Sequence, residues 1–216
     1  MKENLKSKPE SARLSRIIKI LKQEYPEARI ALDFQSPFQL LIATILSAQC
    51  TDERVNQVTP ALFRKYPDPE SFANADRAEL EKDIFSTGFY HQKAKNIILC
   101  SREILDTYQG SVPNDMEQLI KLPGVGRKTA SVVMGNGYGI PAIAVDTHCV
   151  RLSNLLGFVE TKDAVKIEMR LRELAEPEDW IILSHLFAYH GRKTCIARRP
   201  DCQNCVISSL CPSAQK

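Results

Sequence analysis

Apolar residues return every three or four positions along most of this chain, and that periodicity predicts helices. Leu14, Ile17, Ile18 and Leu21 fall at i, i+3, i+4 and i+7, one stripe of an amphipathic helix over residues 11–25. Ser36-Pro37 offers a cap and a proline at the first helical position, opening a helix that runs to about residue 48. Thr51 or Asp52 can cap the next, with Val55, Val58 and Leu62 turned inward. Asp76 and Glu79 have the spacing of a capping box ahead of Leu80 and Ile84. Ile97, Ile98 and Leu105 mark a stripe over 93–108, and further helical patterns cover 128–134, 146–156, 163–174 and 178–190. Only Ala142-Ile-Ala-Val145 looks strand-like, and no alternating runs are joined by hairpin signals. The fold class is therefore all-α. The polar residues 1–10 are expected to fray, and the glycine-rich stretch 135–139 is a candidate hinge between two halves.

Composition narrows the class without naming an activity. A chain of 216 residues with 44% hydrophobic and 25% charged residues is that of a soluble globular protein, long enough for one domain or two modest ones. A net charge of +3 permits nucleic acid without demanding it. Local clustering says more, because Arg192, Lys193, Arg198 and Arg199 gather around one cysteine of the tail. No apolar stretch follows the N-terminal lysines, and the most apolar segment, 38–48, is too short to span a bilayer. A cytoplasmic, nucleoid-associated protein is expected, with no membrane partner.

In that compartment disulfides are rare and clustered cysteines read as metal ligands. Of seven cysteines, Cys50, Cys100 and Cys149 stand apart and read as buried free thiols. Cys195, Cys202, Cys205 and Cys211 follow C-x6-C-x2-C-x5-C within the last twenty-two residues. Zinc sites usually show two close pairs, whereas only Cys202 and Cys205 are close here, which tilts the reading toward a 4Fe-4S cluster over zinc. A set of disulfides is the third option. His190 reads as a satisfied core histidine rather than a ligand. The intervening loop would present Arg198 and Arg199 as a basic tip suited to phosphate.

A second unusual segment is Leu122-Pro-Gly-Val-Gly-Arg-Lys128, set between two helical patterns. Pro123 stops the first helix, and Gly124 and Gly126 permit positive φ and close backbone approach. The amides opening the next helix then point outward with the positive end of its dipole behind them, an anion site suited to a nucleic-acid phosphate. The alternative is a plain helix–helix turn.

Lys128 lies in the first turn of that next helix, where the dipole repels a cation. The repulsion, with partial burial, favours a neutral amine that could form a Schiff base. The alternative is a point charge on a phosphate. Asp146, in Val145-Asp-Thr-His148, reads as a helix N-cap. Backbone donors hold a capping carboxylate as the anion, which could also stabilise an oxocarbenium-like transition state on a sugar.

Five segments in order resemble one family: Leu46-Ser-Ala-Gln-Cys-Thr-Asp52, Leu122-Pro-Gly-Val-Gly-Arg-Lys-Thr-Ala130, Ala144-Val-Asp-Thr-His148, His190-Gly-Arg192 and the cysteine tail. From about Leu14 to Pro212 the chain resembles the endonuclease III family of DNA repair glycosylases. The resemblance implies a two-domain helix-hairpin-helix glycosylase fold. A six-helix barrel would span 30–140, and 1–29 with 141–216 would form an iron–sulfur cluster domain. Damaged double-stranded DNA would be the partner of a monomer, bound in the cleft between the domains.

By motif position, Lys128 would be the nucleophile on C1′ and Asp146 the essential carboxylate. Gln49 would fill the gap left by an extruded nucleotide, and Phe89, in Thr87-Gly-Phe-Tyr90, would wedge beside the unpaired base. Leu122, Gly124, Val125, Gly126, His148, Arg198 and Arg199 would contact DNA, and the four tail cysteines would hold 4Fe-4S. The implied activity is base excision repair: removal of an oxidised pyrimidine through a lysine Schiff base, then 3′ cleavage of the abasic site by β-elimination.

Three positions depart from the family's habit. Phe89 stands where an aliphatic wedge is common, Cys50 where a small residue is usual, and 135–139 is richer in glycine. A mismatch glycosylase of the same superfamily is a weaker reading, because such relatives generally lack the lysine. A non-catalytic binding or electron-transfer module would not need both Lys128 and Asp146.

Overall fold

The first helix forms where the apolar stripe predicts it, α1 at Lys8–Glu24, with Leu14, Ile17, Ile18 and Leu21 all buried. The computed structural model describes residues 8–214. The segment 1–10 expected to fray lies mostly outside that range, and Lys8 to Glu10 are already helical. The chain divides into two compact units, one running to Ile30 and resuming at Pro141, the other spanning Ala31–Ile140.

In the Ala31–Ile140 unit the central element is α2 (Pro37–Leu46), opened by Ser36, whose side chain accepts from the Gln39 N–H. Eight of its residues are buried, Phe38 and Leu40 through Leu46, so it is apolar on every side and lies inside its unit. Then come α3 (Asp52–Lys65), capped by Thr51, the short α4 (Pro69–Ala73), α5 (Arg77–Asp83), and the long α6 (Tyr90–Tyr108). The inner face of α3 is Val55, Thr59 and Leu62, with Thr59 taking the place expected for Val58. On α6 it is Ile104, not Leu105, that joins Ile97 and Ile98 in the core. Asp76 caps α5 by accepting from the Glu79 N–H.

A one-turn helix, α7 (Met116–Leu119), leads into the hairpin and α8 (Arg127–Val132). In the glycine-rich stretch 135–139, residues 133–137 continue α8 as a π-helical turn and the Gly139 N–H bonds the Gly135 carbonyl. A Cβ added at Gly137 would make ordinary contact with Pro37 and Leu40 of α2, and the division between the two units follows at Ile140 and Pro141.

The other unit packs α1 with α9 (Thr147–Leu155), α10 (Ala164–Leu174) and α11 (Trp180–Lys193) around a single apolar core. Residues 142–145 form no strand, because nothing pairs with them. A minimal antiparallel pair does form later, β1 (Cys195–Ile196) with β2 (Arg199–Pro200), placing Ala197 and Arg198 at its turn. Cys100 and Cys149 are buried as expected, and burial pushes both thiols up to about 12. Cys50 is instead partly exposed. Among the described residues no helix is long and apolar enough to cross a membrane.

Candidate functional site

The hairpin of the Ala31–Ile140 unit turns on one glycine. Gly124 has φ +80, in the left-handed region, and an added Cβ would stand 2.9 Å from the Asn96 Cβ of α6. Gly126 is extended, at φ −94 and ψ 173, so the positive φ expected of both glycines is needed only at Gly124. Open space lies beside Gly126, and it caps α8 with no side-chain hydrogen bond. The leading N–H groups of α8 therefore have no side-chain acceptor at the cap. Leu122 and Val125 are buried, so a ligand could reach their backbone only. Lys128 is exposed in the first turn, not partly buried as expected.

Three exposed residues of the same unit, Gln49, Phe89 and Gln109, have left-handed backbone. Gln49 has φ 54, three positions beyond the end of α2, and Phe89 has φ 50 at the N-cap of α6. For side chains with a Cβ this region costs about 1–2 kcal/mol per residue and is characteristic of functional tips. Phe89 is also the most exposed large hydrophobic residue among the described residues, at 71%. Gln109 shares the left-handed conformation but simply ends α6, its N–H bonding the Ile104 carbonyl.

Beneath these tips lies Lys93, only 4% exposed. Its ammonium donates to the Leu46 carbonyl at 2.7 Å and to the Thr87 carbonyl at 2.8 Å. Burial depresses the Lys93 pKa, with the nearby Cys50 acting weakly the other way.

In the other unit, Asp146 caps α9, its Oδ1 accepting from the Cys149 N–H at 2.7 Å. His148 follows one turn in, against Gly191 of α11. Burial lowers the pKa of His148, and Asp146 opposes that shift. Arg151, further along α9, donates to the carbonyls of Gly191 and Cys195 at 3.0 and 2.5 Å, joining α9 to the start of the cysteine tail.

The four tail cysteines line one cavity with Leu152, Leu156 and Ile207. Burial raises the pKa of Cys195 and Cys205, and in each case the other tail thiols raise it further. His190 is 1% exposed, its Nδ1 3.1 Å from the Tyr25 hydroxyl and its Nε2 3.7 Å from Cys205 Sγ. Arg198 and Arg199 are exposed at the β1–β2 turn.

Residues 42–177 match the family described as HhH-GPD superfamily base excision DNA repair protein. An Endonuclease III of Synechocystis sp. is 52% identical over 94% of this chain and 93% of its own length. The chain belongs to the endonuclease III family. Two solved endonuclease III structures, a non-covalent DNA complex and a trapped covalent DNA intermediate, each superpose with a TM-score of 0.89 at 42% identity. Each match covers 94% of this chain and 96% of the other.

For an endonuclease III family member, the sequence-predicted residues fall into groups within each unit. Gln49, Phe89, the hairpin and Lys128 belong to one, and Asp146, His148, Arg198, Arg199 and the cysteines to the other. Sequence reasoning missed Lys93. Its only local signal was a lysine on the α6 stripe among Ala94, Ile97 and Ile98, where a charge is out of place.

Proposed function

We propose that this chain removes oxidised pyrimidines from duplex DNA and then cleaves the strand at the resulting abasic site. An N-glycosidic bond inside a stacked duplex is out of reach, so the damaged nucleotide turns outward first, at a cost of a few kcal/mol. Gln49 fills the gap and Phe89 wedges beside the unpaired base. Amides of the Leu122–Lys128 hairpin, including those of Gly124, Val125 and Gly126, bind a phosphate, as do Arg198 and Arg199; His148 adds a contact to the strand.

The Lys128 amine attacks C1′, and the C1′–base bond breaks with the bonding pair leaving on the base, which takes up a proton. Opening of the sugar ring gives a Schiff base that acidifies the C2′ hydrogens. Loss of one of them expels the 3′ phosphate by β-elimination, and water then hydrolyses the imine to free Lys128. Asp146 acts as the carboxylate that steadies positive charge on the sugar.

The observation that carries this reading is the exposed Lys128, two residues past the hairpin glycine that caps α8, in a family with a member captured covalently on DNA.

Cys195, Cys202, Cys205 and Cys211 would hold a 4Fe-4S cluster. One observation supports that fit: the four thiols share one cavity with Leu152, Leu156 and Ile207, with Cys195 and Cys205 half-buried there. Bound there, the cluster would cross-link the tail and brace the loop bearing Arg198 and Arg199. The protein works as a cytoplasmic, nucleoid-associated monomer. Its barrel unit with the hairpin is 30–140, and its cluster unit is 1–29 with 141–216.

Borohydride trapping tests the reading. Cluster-loaded protein on duplex DNA containing thymine glycol should give a covalent adduct, and Lys128→Gln should give none. An adduct with Lys128→Gln would overturn the nucleophile. No adduct with wild type, on thymine glycol or on a plain abasic site, would overturn the Schiff-base chemistry.

A further inference from the structure

The two strained tips in the Ala31–Ile140 unit are tied to one buried amine. Lys93 Nζ donates to Leu46, the last residue of α2, and to Thr87, just ahead of Gly88 and Phe89. The first of these bonds joins segments 47 residues apart in sequence. Leu46 is where α2 leaves a carbonyl without an intrahelical donor and where the negative end of the helix dipole favours a cation. Gln49 follows three positions later, within the Ser47–Cys50 turn, whose ends are joined by the Cys50 N–H to the Ser47 carbonyl at 3.1 Å. On the other side Lys93 holds Phe89 from two directions. Its own N–H donates to the Phe89 carbonyl at 3.0 Å, while its ammonium takes Thr87 two residues earlier.

The arrangement is costly by any local rule. A lysine is almost never this buried without a charged partner, and the first turn of α6 is the wrong end of a helix for a cation. Its ammonium donates to two backbone carbonyls. A leucine or methionine would fill the same core space at less cost, but it could not bond two carbonyls at once. What the amine adds is a fixed geometry between two segments that each end in a left-handed, exposed side chain.

We infer that Lys93 is a positioning residue that couples the tips bearing Gln49 and Phe89, so that both side chains enter a duplex as one rigid pair. This rests on the proposed insertion of Gln49 and Phe89, and it adds a specificity element: Lys93 matters only where a partner strand must be parted. Filling a gap and wedging an unpaired base are demands of double-stranded substrate. On a single-stranded abasic site there is neither gap nor opposing base, and Lys128 can react without the tips. Pre-organisation of the tips should then appear as a preference for duplex over single strand, because a misplacement of about 1 Å can cost on the order of a hundredfold in rate.

The test compares cluster-loaded wild type, Lys93→Met, Lys93→Gln, Gln49→Ala and Phe89→Ala. Each is assayed for cleavage of an abasic site in duplex and in single-stranded DNA, with thermal unfolding alongside. Lys93→Met removes the side-chain donors while keeping an unbranched apolar stem one atom shorter, and Lys93→Gln keeps an N–H donor on an arm of the same shortened length. Lys93→Met is expected to lose about tenfold in kcat/KM on duplex and to keep single-strand cleavage. With 2-aminopurine opposite the abasic site, its fluorescence change on binding should shrink in Lys93→Met.

Duplex cleavage at the wild-type rate by folded Lys93→Met, with Gln49→Ala and Phe89→Ala impaired, would overturn the coupling and leave the insertion reading intact. Wild-type duplex rates for Gln49→Ala and Phe89→Ala would overturn the insertion reading and the coupling with it. Equal losses on duplex and single strand would also overturn the coupling. If Lys93→Met does not fold, Lys93→Gln decides by the same comparison. If neither folds, Lys93 holds the core rather than the tips, and the inference fails.

Discussion

An added Cβ on Gly191 would stand 2.6 Å from Nδ1 of His148 and 3.0 Å from its Cβ. Gly191 lies inside α11, where glycine costs about 1 kcal/mol relative to alanine. The absent side chain lets α11 close onto the first turn of α9, beside Asp146. Gly191→Ala should therefore destabilise rather than stabilise, by about 1–3 kcal/mol from overpacking, despite the better helix propensity. Thermal unfolding checks the sign, and a rise in melting temperature would mean that His148 yields easily.

Asp146 is a helix cap, and the proposed function gives it a second, separable role. As a cap it accepts from the Cys149 N–H, a task that asparagine performs about as well. Asp146→Asn should keep stability within about 0.5 kcal/mol and lose glycosylase turnover, while Asp146→Ala should lose turnover and about 1 kcal/mol more. Denaturant unfolding beside single-turnover kinetics separates the two. Comparable unfolding of both variants would make the carboxylate's charge, not the cap, the structural element.

Gly124→Ala should distort the hairpin. Alanine at φ +80 costs about 1–2 kcal/mol, and its Cβ would press on Asn96 at 2.9 Å. Binding to undamaged duplex should weaken with it, since the hairpin amides would no longer converge on a phosphate. Fluorescence anisotropy at fixed salt measures the loss, and unchanged binding would reduce the segment to a connecting turn.

His185 makes the fold sensitive to acid. Burial lowers its pKa below the ordinary 6.5, with Asp146 acting the other way. A histidine whose folded pKa is depressed favours folding in its neutral form. Its contribution is complete above about pH 6.5 and is lost as pH falls through that value toward the folded pKa. Wild type should then lose stability from pH 7 to pH 5 faster than His185→Gln, with a difference in slope of up to about 1.4 kcal/mol per pH unit. Urea unfolding of both proteins at the two pH values provides the comparison, and parallel slopes would remove His185 as the cause.

Much of this protein was legible in its sequence because the signals were local. The caps at Ser36, Thr51, Asp76 and Asp146 each act on an amide three residues away, and each was visible before any fold was known. Apolar period alone established α1, and the spacing of the four cysteines marked the tail as a ligand set before the structure lined one cavity with them. Errors came where packing, not pattern, decides. Thr59 rather than Val58 and Ile104 rather than Leu105 face inward, because the orientation of α3 and α6 against their neighbours turns each stripe by one position. The glycine run at 135–139 suggested a hinge, and the pattern gave no sign of the π-helical turn that residues 133–137 form.

The sequence by itself determined the helices, their caps, the glycine hairpin with its lysine, and the clustering of four cysteines in the tail, since each depends on residues within a few positions of one another. Only the tertiary structure decided that Gly191 makes room for His148, and that Lys93 is spent on the carbonyls of Leu46 and Thr87. His148 and Gly191 sit on different helices, the Leu46 carbonyl is 47 residues from Lys93, and Thr87, though near in sequence, offers only a backbone carbonyl. Every residue has a carbonyl, so no side-chain identity could mark which ones the fold would bring to a buried amine.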